Sequence, residues 1–208
     1  MRNGQSLLER TIFLLPKKRN LLKKKKFCEK LGLPVEILNL AESLEDTEII
    51  SKVKDFFSRG DITGGIIQLP LPRSSLEPVL GVIPVKKDVD LLSPASKHLF
   101  YAGEFNRLPP TVRAFDYFLQ HTELDQEQLS IGVIGYGELF GKPIAHYAAT
   151  LGLAVEVIGW YENSKHLDYQ LLVLSAGVPN LVNPENISSG ASVIDFGFSK
   201  VAGKTVGD

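Results

Sequence analysis

The sequence has little of three residue types, since one cysteine, one methionine and one tryptophan occur among 208 residues. The single cysteine, Cys28, cannot form a disulfide within the chain, and nothing near it completes a metal-binding pattern. No apolar run approaches the roughly 20 residues that span a bilayer. The N-terminus does not resemble a signal peptide, because Glu9 and Arg10 interrupt its apolar residues. We therefore expect a cytoplasmic protein without a membrane partner.

The net charge of the chain is also small. The formal net charge is −1, which argues against attraction of the whole surface to nucleic acid. Apolar residues make up 44% of the chain and charged residues 23%, the proportions of an ordinary globular protein. A chain of 208 residues is long enough for two small domains with cores of their own.

Short apolar runs alternate with helical patterns along the chain. The runs predict strands over residues 11–15, 35–40, 64–68, 131–134, 154–158, 171–174 and 192–196. Apolar residues at helical spacing predict helices over residues 21–31, 49–57, 112–119 and 142–151, and the pair Ser74 and Glu77 predicts a capping box that opens a further short helix. This alternation is typical of βαβ units with parallel strands. We therefore predict an α/β protein with two domains, residues 1–110 and 111–208, around a cleft.

Two neighbouring segments are the most specific feature of the chain. The first is Gly64-Gly-Ile-Ile-Gln-Leu-Pro-Leu-Pro72, and the second is Pro84-Val-Lys-Lys-Asp-Val-Asp90. An apolar strand ends at Gln68, and the prolines that follow exclude both a helix and an interior strand. A polar residue at the carboxyl end of a buried strand lies where open α/β sheets bind ligands. Together the segments resemble the signature stretches Gln-Leu-Pro-Leu-Pro and Pro-x-Lys-Asp-Val-Asp of the bifunctional methylenetetrahydrofolate dehydrogenase/methenyltetrahydrofolate cyclohydrolase family.

The basic run from Lys17 to Lys26 holds seven cations in ten residues. It is typical of a solvated helix face, and less so of a nucleic-acid patch, because no aromatic residues interleave for base stacking. The resemblance adds a third interpretation, in which Lys24 falls on the family's catalytic lysine. Asn20 then stands where the family has a tyrosine that holds the aromatic part of the substrate. Because four lysines are consecutive, the register could also differ by one.

The resemblance implies catalytic roles for Lys24, Gln68 and Asp90. A lysine amine takes part in proton transfer when burial or neighbouring cations disfavour its charged form. A glutamine amide can hold and orient such a group without titrating, and a carboxylate can accept paired hydrogen bonds from a pterin. Taken alone, Asp90 is more typical of an aspartate that forms a turn. The resemblance also implies substrate contacts at Asn20, Ile67 and Leu69.

A glycine-rich turn between a predicted strand and a predicted helix indicates a cofactor site, because amides at a helix N-terminus can bind a pyrophosphate. The segment Gly135-Tyr-Gly-Glu-Leu-Phe-Gly-Lys-Pro143 resembles the family's Gly-Arg-Ser-x-x-Val-Gly-Lys-Pro, and two later segments, 175–179 and 193–197, resemble others beside the cofactor. The second domain is therefore expected to be Rossmann-like and to bind NAD or NADP. The residues implied in cofactor binding are Gly135, Tyr136, Gly137, Glu138, Gly141, Ala176, Gly177 and Phe198.

The cofactor loop departs from the family pattern at one informative point. Tyr136 and Gly137 replace the Arg-Ser pair that contacts the 2′-phosphate of NADP, and Glu138 adds a negative charge. Glu162 would add another after the next strand. We therefore expect NAD to be preferred to NADP, or neither cofactor to bind measurably.

The resemblance implies an enzyme of folate one-carbon metabolism, both oxidoreductase and hydrolase, that acts on a tetrahydrofolate derivative and forms a homodimer without binding nucleic acid. A non-catalytic or cyclohydrolase-only relative that has lost NADP binding is the alternative, which the altered loop favours and the retained Lys24, Gln68 and Asp90 oppose. An unrelated NAD-dependent oxidoreductase is opposed by the segment 84–90. Since family members continue beyond a Gly-Asp pair, a short or incomplete C-terminus is expected at Asp208.

Overall fold

The computed structural model describes residues 10–14, 18–125, 127–159, 161 and 165–208, with the backbone alone for residues 10–14 and 18–21. The chain divides into two compact units, residues 1–107 and 108–208. Each unit contains a parallel sheet, as the alternation of strand and helix patterns predicts.

The first unit is a three-stranded parallel sheet with helices connecting its strands. Its elements are β1 (Arg10–Leu14), α1 (Lys18–Lys30), β2 (Val35–Leu38), α2 (Asp46–Ser58), β3 (Ile62–Ile67), two 3₁₀ helices (Ser74–Val82 and Val85–Lys87) and α3 (Pro94–Tyr101). The strand order is β2-β1-β3. Leu14 lies opposite Ile67 in the sheet, so β1 and β3 end at the same level.

The core of the first unit lies between α2, β3 and the longer 3₁₀ helix. Among the described side chains, nine are buried in it, namely Ile49, Val53, Phe56, Phe57, Ile62, Ile67, Leu76, Val79 and Ile83. The apolar positions of α2 recur at helical spacing, so one face of this helix packs into the core. Each of the larger side chains contributes about 1.5–3 kcal/mol by leaving water, and this packing holds the end of β3 in place.

The capping box predicted at Ser74 is wrong. The segment Ser74–Val82 is a 3₁₀ helix that begins after Arg73, and no side chain caps it. Arg73 instead donates hydrogen bonds to the carboxylate of Asp46 and to the carbonyl oxygens of Glu42 and Leu44. These long-range contacts set the start of the segment, and Pro78 inside it cannot donate the amide hydrogen bond of a regular α-helix.

The second unit is a four-stranded parallel sheet followed by a hairpin. Its elements are α4 (Pro110–His121), β4 (Ser130–Ile134), α5 (Gly141–Thr150), β5 (Ala154–Ile158), β6 (Leu171–Leu174), a 3₁₀ helix (Pro184–Asn186), β7 (Ser192–Asp195), β8 (Ser199–Val201) and β9 (Lys204–Val206). The strand order is β5-β4-β6-β7. Strands β4 and β6 are buried almost completely, as a central pair in a parallel sheet requires.

Helix α3 and the pair of strands β8 and β9 have no counterpart in the sequence prediction. Helix α3 begins at Pro94 after Ser93, whose hydroxyl accepts a hydrogen bond from the amide of Ser96. Serine at the N-cap followed by proline is a recognisable helix start, so the sequence contains this signal. The antiparallel pair β8–β9 turns through Ala202 and Gly203, both with positive φ.

Candidate functional site

The first candidate site lies at a switch point of the three-stranded sheet, where the chain leaves β1 towards β2 on one side while β3 pairs with β1 on the other. In the order β2-β1-β3, this switch point falls between β1 and β3, at their carboxyl ends. Gln68 is the first residue after β3 and is half-buried there. The buried core beneath β3 therefore places the amide of Gln68 at the edge where open α/β sheets bind ligands.

Lys24 of α1 contacts this glutamine directly. The Nζ atom of Lys24 donates a hydrogen bond to Oε1 of Gln68 over 3.2 Å, and Nε2 of Gln68 donates to the carbonyl oxygen of Leu69 over 2.8 Å. Both ends of the amide are therefore held. Lys25 instead pairs with Glu29 at 3.7 Å, whereas Lys23 is exposed. The structure therefore brings together Lys24 and Gln68, two of the residues to which the resemblance assigns catalytic roles.

Asp90 lies in a segment that runs beside β3. The amide of Val89 donates to the carbonyl oxygen of Gly65, and a β-carbon on Gly64 would come within 2.9 Å of the Val89 side chain. This close approach brings the half-buried Asp90 to the same end of the sheet. Burial raises the pKa of the Asp90 carboxyl group, the positive charge of Lys24 opposes the increase, and Asp88 adds to it. Asp90 therefore lies within electrostatic reach of Lys24.

Asp88, rather than Asp90, is the aspartate that forms the turn. Its carboxylate is buried and accepts hydrogen bonds from the amides of Leu92 and Ser93 at 3.1 and 2.8 Å. Leu91, between them, has a φ of 53°, a conformation that costs a non-glycine residue about 1–3 kcal/mol. The Asp88 turn holds this strained backbone in place, and Asp90 is left without a role in forming the turn.

The three residues implied in substrate contacts have different surroundings. The side chain of Ile67 is 1% exposed and belongs to the core, so only its backbone could contact a ligand. Leu69 is half-buried beside Gln68, and its peptide bond to Pro70 is cis. The side chain of Asn20 lies outside the described residues.

The second candidate site lies at the switch point of the four-stranded sheet, between β4 and β6. Gly135 follows β4 and Ser175 follows β6. The amide of Ser175 donates to the carbonyl oxygen of Ile134 over 2.8 Å, and its hydroxyl donates to that of Gly135 over 3.0 Å. Two segments that the sequence assigns separately to the cofactor, 135–141 and 175–177, are therefore neighbours in space.

Two glycines of the loop are required by its shape. Gly135 has a φ of 88°, and a β-carbon there would come within 2.7 Å of the Ala176 amide nitrogen. A β-carbon on Gly141 would overlap the carbonyl oxygen of Gly135, whereas Gly137 has open space around it. The loop therefore folds tightly against itself, and α5 begins at Gly141 directly beside the switch point.

The loop also presents charged and aromatic side chains. Tyr136 is about half exposed, and the carboxylate of Glu138 forms an ion pair with Nζ of Lys142 at 2.6 Å. The negative charge expected from Glu138 is therefore partly balanced by a cation in the first turn of α5. Glu162, which was expected to add a further charge, lies outside the described residues.

A buried carboxylate, that of Asp208, is hydrogen-bonded to the segment 175–177. Oδ2 of Asp208 accepts a hydrogen bond from the amide of Gly177 over 2.8 Å, and the amide of Asp208 donates to Oδ2 of Asp195 over 3.0 Å. Ser199 adds a hydrogen bond from its hydroxyl to the carbonyl oxygen of Gly177, while the neighbouring Phe198 is 67% exposed. No local pattern in the sequence indicates Asp208, because these two partners lie 31 and 13 residues away along the chain.

Comparison with known proteins identifies the family. Residues 20–90 match the family model described as the catalytic domain of tetrahydrofolate dehydrogenase/cyclohydrolase, and residues 109–208 match its NAD(P)-binding domain. The chain belongs to this family. The predicted resemblance and the α/β fold with a Rossmann-like second half are therefore confirmed.

Individual relatives agree with this assignment. The chain is 31% identical over 189 residues to the bifunctional protein FolD of Clostridium novyi, covering 88% of this chain and 67% of that protein, and 30% identical over 191 residues to FolD of Macrococcus caseolyticus, with 89% and 67% covered. The chain thus spans about two thirds of these relatives.

The solved structures of the family have the same fold. The bifunctional FolD enzyme of Campylobacter jejuni superposes with a TM-score of 0.85 at 26% identity, covering 97% of this chain and 75% of that one. FolD of Trypanosoma brucei, solved with NADP and an inhibitor, gives 0.80 at 25% identity, with 96% and 73% covered. Among the described residues no helix is long and apolar enough to cross a membrane, and no group of three or more acidic, histidine or cysteine side chains could hold a metal ion.

Proposed function

We propose that this chain catalyses two consecutive reactions of folate one-carbon metabolism. The first is the NAD(P)-dependent dehydrogenation of methylenetetrahydrofolate, and the second is hydrolysis of the methenyl product to 10-formyltetrahydrofolate. The observation that carries the proposal is the hydrogen bond from Lys24 to Gln68 at the switch point of the first sheet. Membership of the tetrahydrofolate dehydrogenase/cyclohydrolase family supports both reactions.

Lys24 is proposed as the proton-transfer group of the hydrolysis. A water molecule adds to the methenyl carbon, and the amine of Lys24 takes a proton from it. The bond from that carbon to the ring nitrogen then breaks, the nitrogen gains a proton, and the hydroxyl becomes the formyl oxygen, so that one proton is released overall. A positioned acid or base of this kind contributes about 10²–10⁴-fold to a rate.

Gln68 and Asp90 are proposed to position the reactants. Because Gln68 is anchored to the carbonyl oxygen of Leu69, its Oε1 atom holds Lys24 in one place. The carboxylate of Asp90 can accept paired hydrogen bonds from the amino and ring N–H groups of a pterin. Burial raises the pKa of this carboxyl group, and the positive charge of Lys24 opposes the increase.

The second switch point fits a dinucleotide. A β-carbon at Gly135 or Gly141 would fill the tight turn at the start of α5, and this turn is where a pyrophosphate approaches a helix N-terminus. We assign the loop from Gly135 to Gly141 to the pyrophosphate and the segment 175–177, with Phe198, to the neighbouring part of the cofactor. A dinucleotide held by these residues would supply the acceptor for the hydride of the methylene carbon.

Three finer properties belong to the same proposal. The absence of a cation at Tyr136 and Gly137 supports NAD over NADP, because a 2′-phosphate normally requires an arginine or a comparable donor. The family resemblance supports a homodimer, which sedimentation velocity would test. The composition supports a cytoplasmic location.

The proposal is tested by measuring both reactions on the purified protein. Dinucleotide reduction with methylenetetrahydrofolate and loss of methenyltetrahydrofolate absorbance follow the two steps. Gln68→Leu should lower hydrolysis at least tenfold, because it removes the acceptor that holds Lys24. Gln128→Leu, in an exposed turn, is the matched control. A wild-type protein that performs neither reaction would overturn the proposed function.

A further inference from the structure

The backbone around Asp208 fixes this residue firmly within the second unit. Its amide donates a hydrogen bond to Oδ2 of Asp195 over 3.0 Å, and its main-chain oxygen accepts one from the amide of Val182 over 3.0 Å. The main-chain oxygen of Gly207, the preceding residue, accepts a hydrogen bond from the amide of Asn180 over 3.1 Å. Asp208 is 6% exposed, so its carboxylate points into the protein rather than into solvent.

Two glycines make room for the carboxylates of Asp195 and Asp208. A β-carbon on Gly197 would overlap the carboxylate of Asp208, and a β-carbon on Gly207 would overlap that of Asp195. Asp195 also accepts a hydrogen bond from the amide of Gly197 over 2.7 Å. The two carboxylates therefore join both ends of the β8–β9 hairpin, and a side chain at either glycine would displace one of them.

The carboxylate of Asp208 reaches the proposed cofactor segment at Gly177. Its Oδ2 atom accepts a hydrogen bond from the amide of Gly177 over 2.8 Å, and the hydroxyl of Ser199 donates to the carbonyl oxygen of Gly177 over 2.6 Å. Gly177 has a φ of 69°, a conformation that favours glycine. The protein itself thus holds both polar backbone groups of Gly177, while the neighbouring Ala176 and Val178 are exposed.

The second oxygen of the Asp208 carboxylate is not explained by packing. Its Oδ1 atom is buried and has no hydrogen-bond partner among the described residues. A neutral amide would offer Gly177 the same acceptor at a lower cost, because burial of a charged oxygen without a partner is more costly than burial of a neutral group. A carboxylate forms the stronger hydrogen bond. The residue therefore favours a firm hold on Gly177 over the stability of the fold.

We propose that Asp208 is a positioning residue for the dinucleotide, which acts by fixing Gly177. This inference rests on the proposed function, which assigns the segment 175–177 to the cofactor. The segment is also tied to the glycine-rich loop, because the hydroxyl of Ser175 donates to the carbonyl oxygen of Gly135 over 3.0 Å. Asp208 takes no part in proton or hydride transfer. It keeps the segment ordered before the dinucleotide arrives, so that binding does not have to order it.

Four variants separate this role from a general effect on folding. Asp208→Ala removes the acceptor, and Asp208→Asn keeps a neutral one. Ser199→Ala removes the second hydrogen bond to Gly177 and keeps the test decisive if Asp208→Ala does not fold. The control is Leu119→Ala, which removes a buried side chain of α4 instead. Titration calorimetry with NAD and with NADP gives the affinities, and circular dichroism on heating gives the melting temperatures.

Affinity and stability should change independently. Asp208→Ala should weaken dinucleotide binding by about ten- to a hundredfold, the factor of one charge-assisted hydrogen bond, and Ser199→Ala by about two- to tenfold. Asp208→Asn should bind more weakly than the wild type but melt at the same or a higher temperature. Leu119→Ala should melt at a lower temperature and still bind with wild-type affinity when it is folded.

The inference is overturned if Ser199→Ala and a folded Asp208→Ala bind the dinucleotide as tightly as the wild type. It is also overturned if Leu119→Ala loses affinity as they do. If the wild type binds neither dinucleotide, the cofactor assignment of the proposed function fails, and amide hydrogen exchange then decides the inference. The Gly177 amide should exchange about tenfold faster or more in Asp208→Ala than in the wild type, and equal rates would overturn the inference.

Discussion

The substitution Lys24→Met tests the central geometry of the first site. It keeps an unbranched side chain about one atom shorter but removes the amine that donates to Gln68 over 3.2 Å. If Lys24 moves the proton of the attacking water, methenyltetrahydrofolate hydrolysis should fall by about 10²–10⁴-fold in kcat. Binding of the folate should change much less, since the pterin contacts are assigned to Asp90.

The effect on stability should be small, and this separates catalysis from folding. Gln68 is half-buried, so water can replace the lost donor, and a hydrogen bond of this kind contributes about 0.5–1.5 kcal/mol. For a chain of this size that corresponds to a loss of a few degrees in the melting temperature. Circular dichroism on heating, recorded beside the hydrolysis assay, measures both quantities on one preparation.

The neighbouring lysines provide matched controls. Lys23→Met removes an exposed amine, and Lys25→Met removes the partner of Glu29, so neither should lower hydrolysis by more than about threefold. If Lys24→Met retained hydrolysis near the wild-type rate while Lys23→Met or Lys25→Met abolished it, the assignment of the catalytic amine would be refuted.

Three further predictions concern other residues. Burial raises the pKa of Asp90, so its ionised form destabilises the folded state. The Asp90→Asn variant should therefore have a higher melting temperature than the wild type, by a margin that grows as pH rises through the folded-state pKa. Calorimetry that shows a margin independent of pH would contradict this. Gly141→Ala should lower the free energy of unfolding, measured with denaturant, by about 1–3 kcal/mol, because the new methyl group would overlap the Gly135 carbonyl. Gly137→Ala lies in open space and should lower it by under about 1 kcal/mol. Equal losses in the two variants would disprove the tight turn. In titration calorimetry, the wild type should bind NAD more tightly than NADP, or bind neither. Tyr136→Arg should raise the affinity for NADP by about tenfold or more. Clearly tighter binding of NADP than of NAD by the wild type would reject this interpretation of the loop.

The periodicity of apolar residues was sufficient to predict most of the regular structure. Strand β6 occupies residues 171–174 as predicted, and α2 covers the predicted helix with three added residues before it and one after it. Such patterns are readable because a buried strand or one helix face needs apolar residues at a fixed spacing. The capping box at Ser74 was predicted from the local pattern of Ser74 and Glu77. The start of this segment is set instead by Arg73, whose hydrogen bonds reach residues some 30 positions away.

The chemical identity of the candidate sites is also present in the sequence. Gln68 is followed by prolines, and Gly135 and Gly141 flank a turn between a strand and a helix, so the sequence alone places both sites at strand ends. These local signals exist because proline narrows and glycine widens the range of backbone conformations wherever they occur.

Only the tertiary structure decided which side chains meet. Four consecutive lysines are equivalent in the sequence, and the packing of α1 against the first sheet singles out Lys24 as the partner of Gln68. The same holds for Asp88 and Asp90, one of which forms the turn while the other lies half-buried within reach of Lys24. Asp208 supports Gly177 across 31 residues of chain. Periodicity and turn residues act over a few neighbours and are therefore visible in the sequence, whereas a hydrogen bond between distant residues depends on how the strands and helices pack.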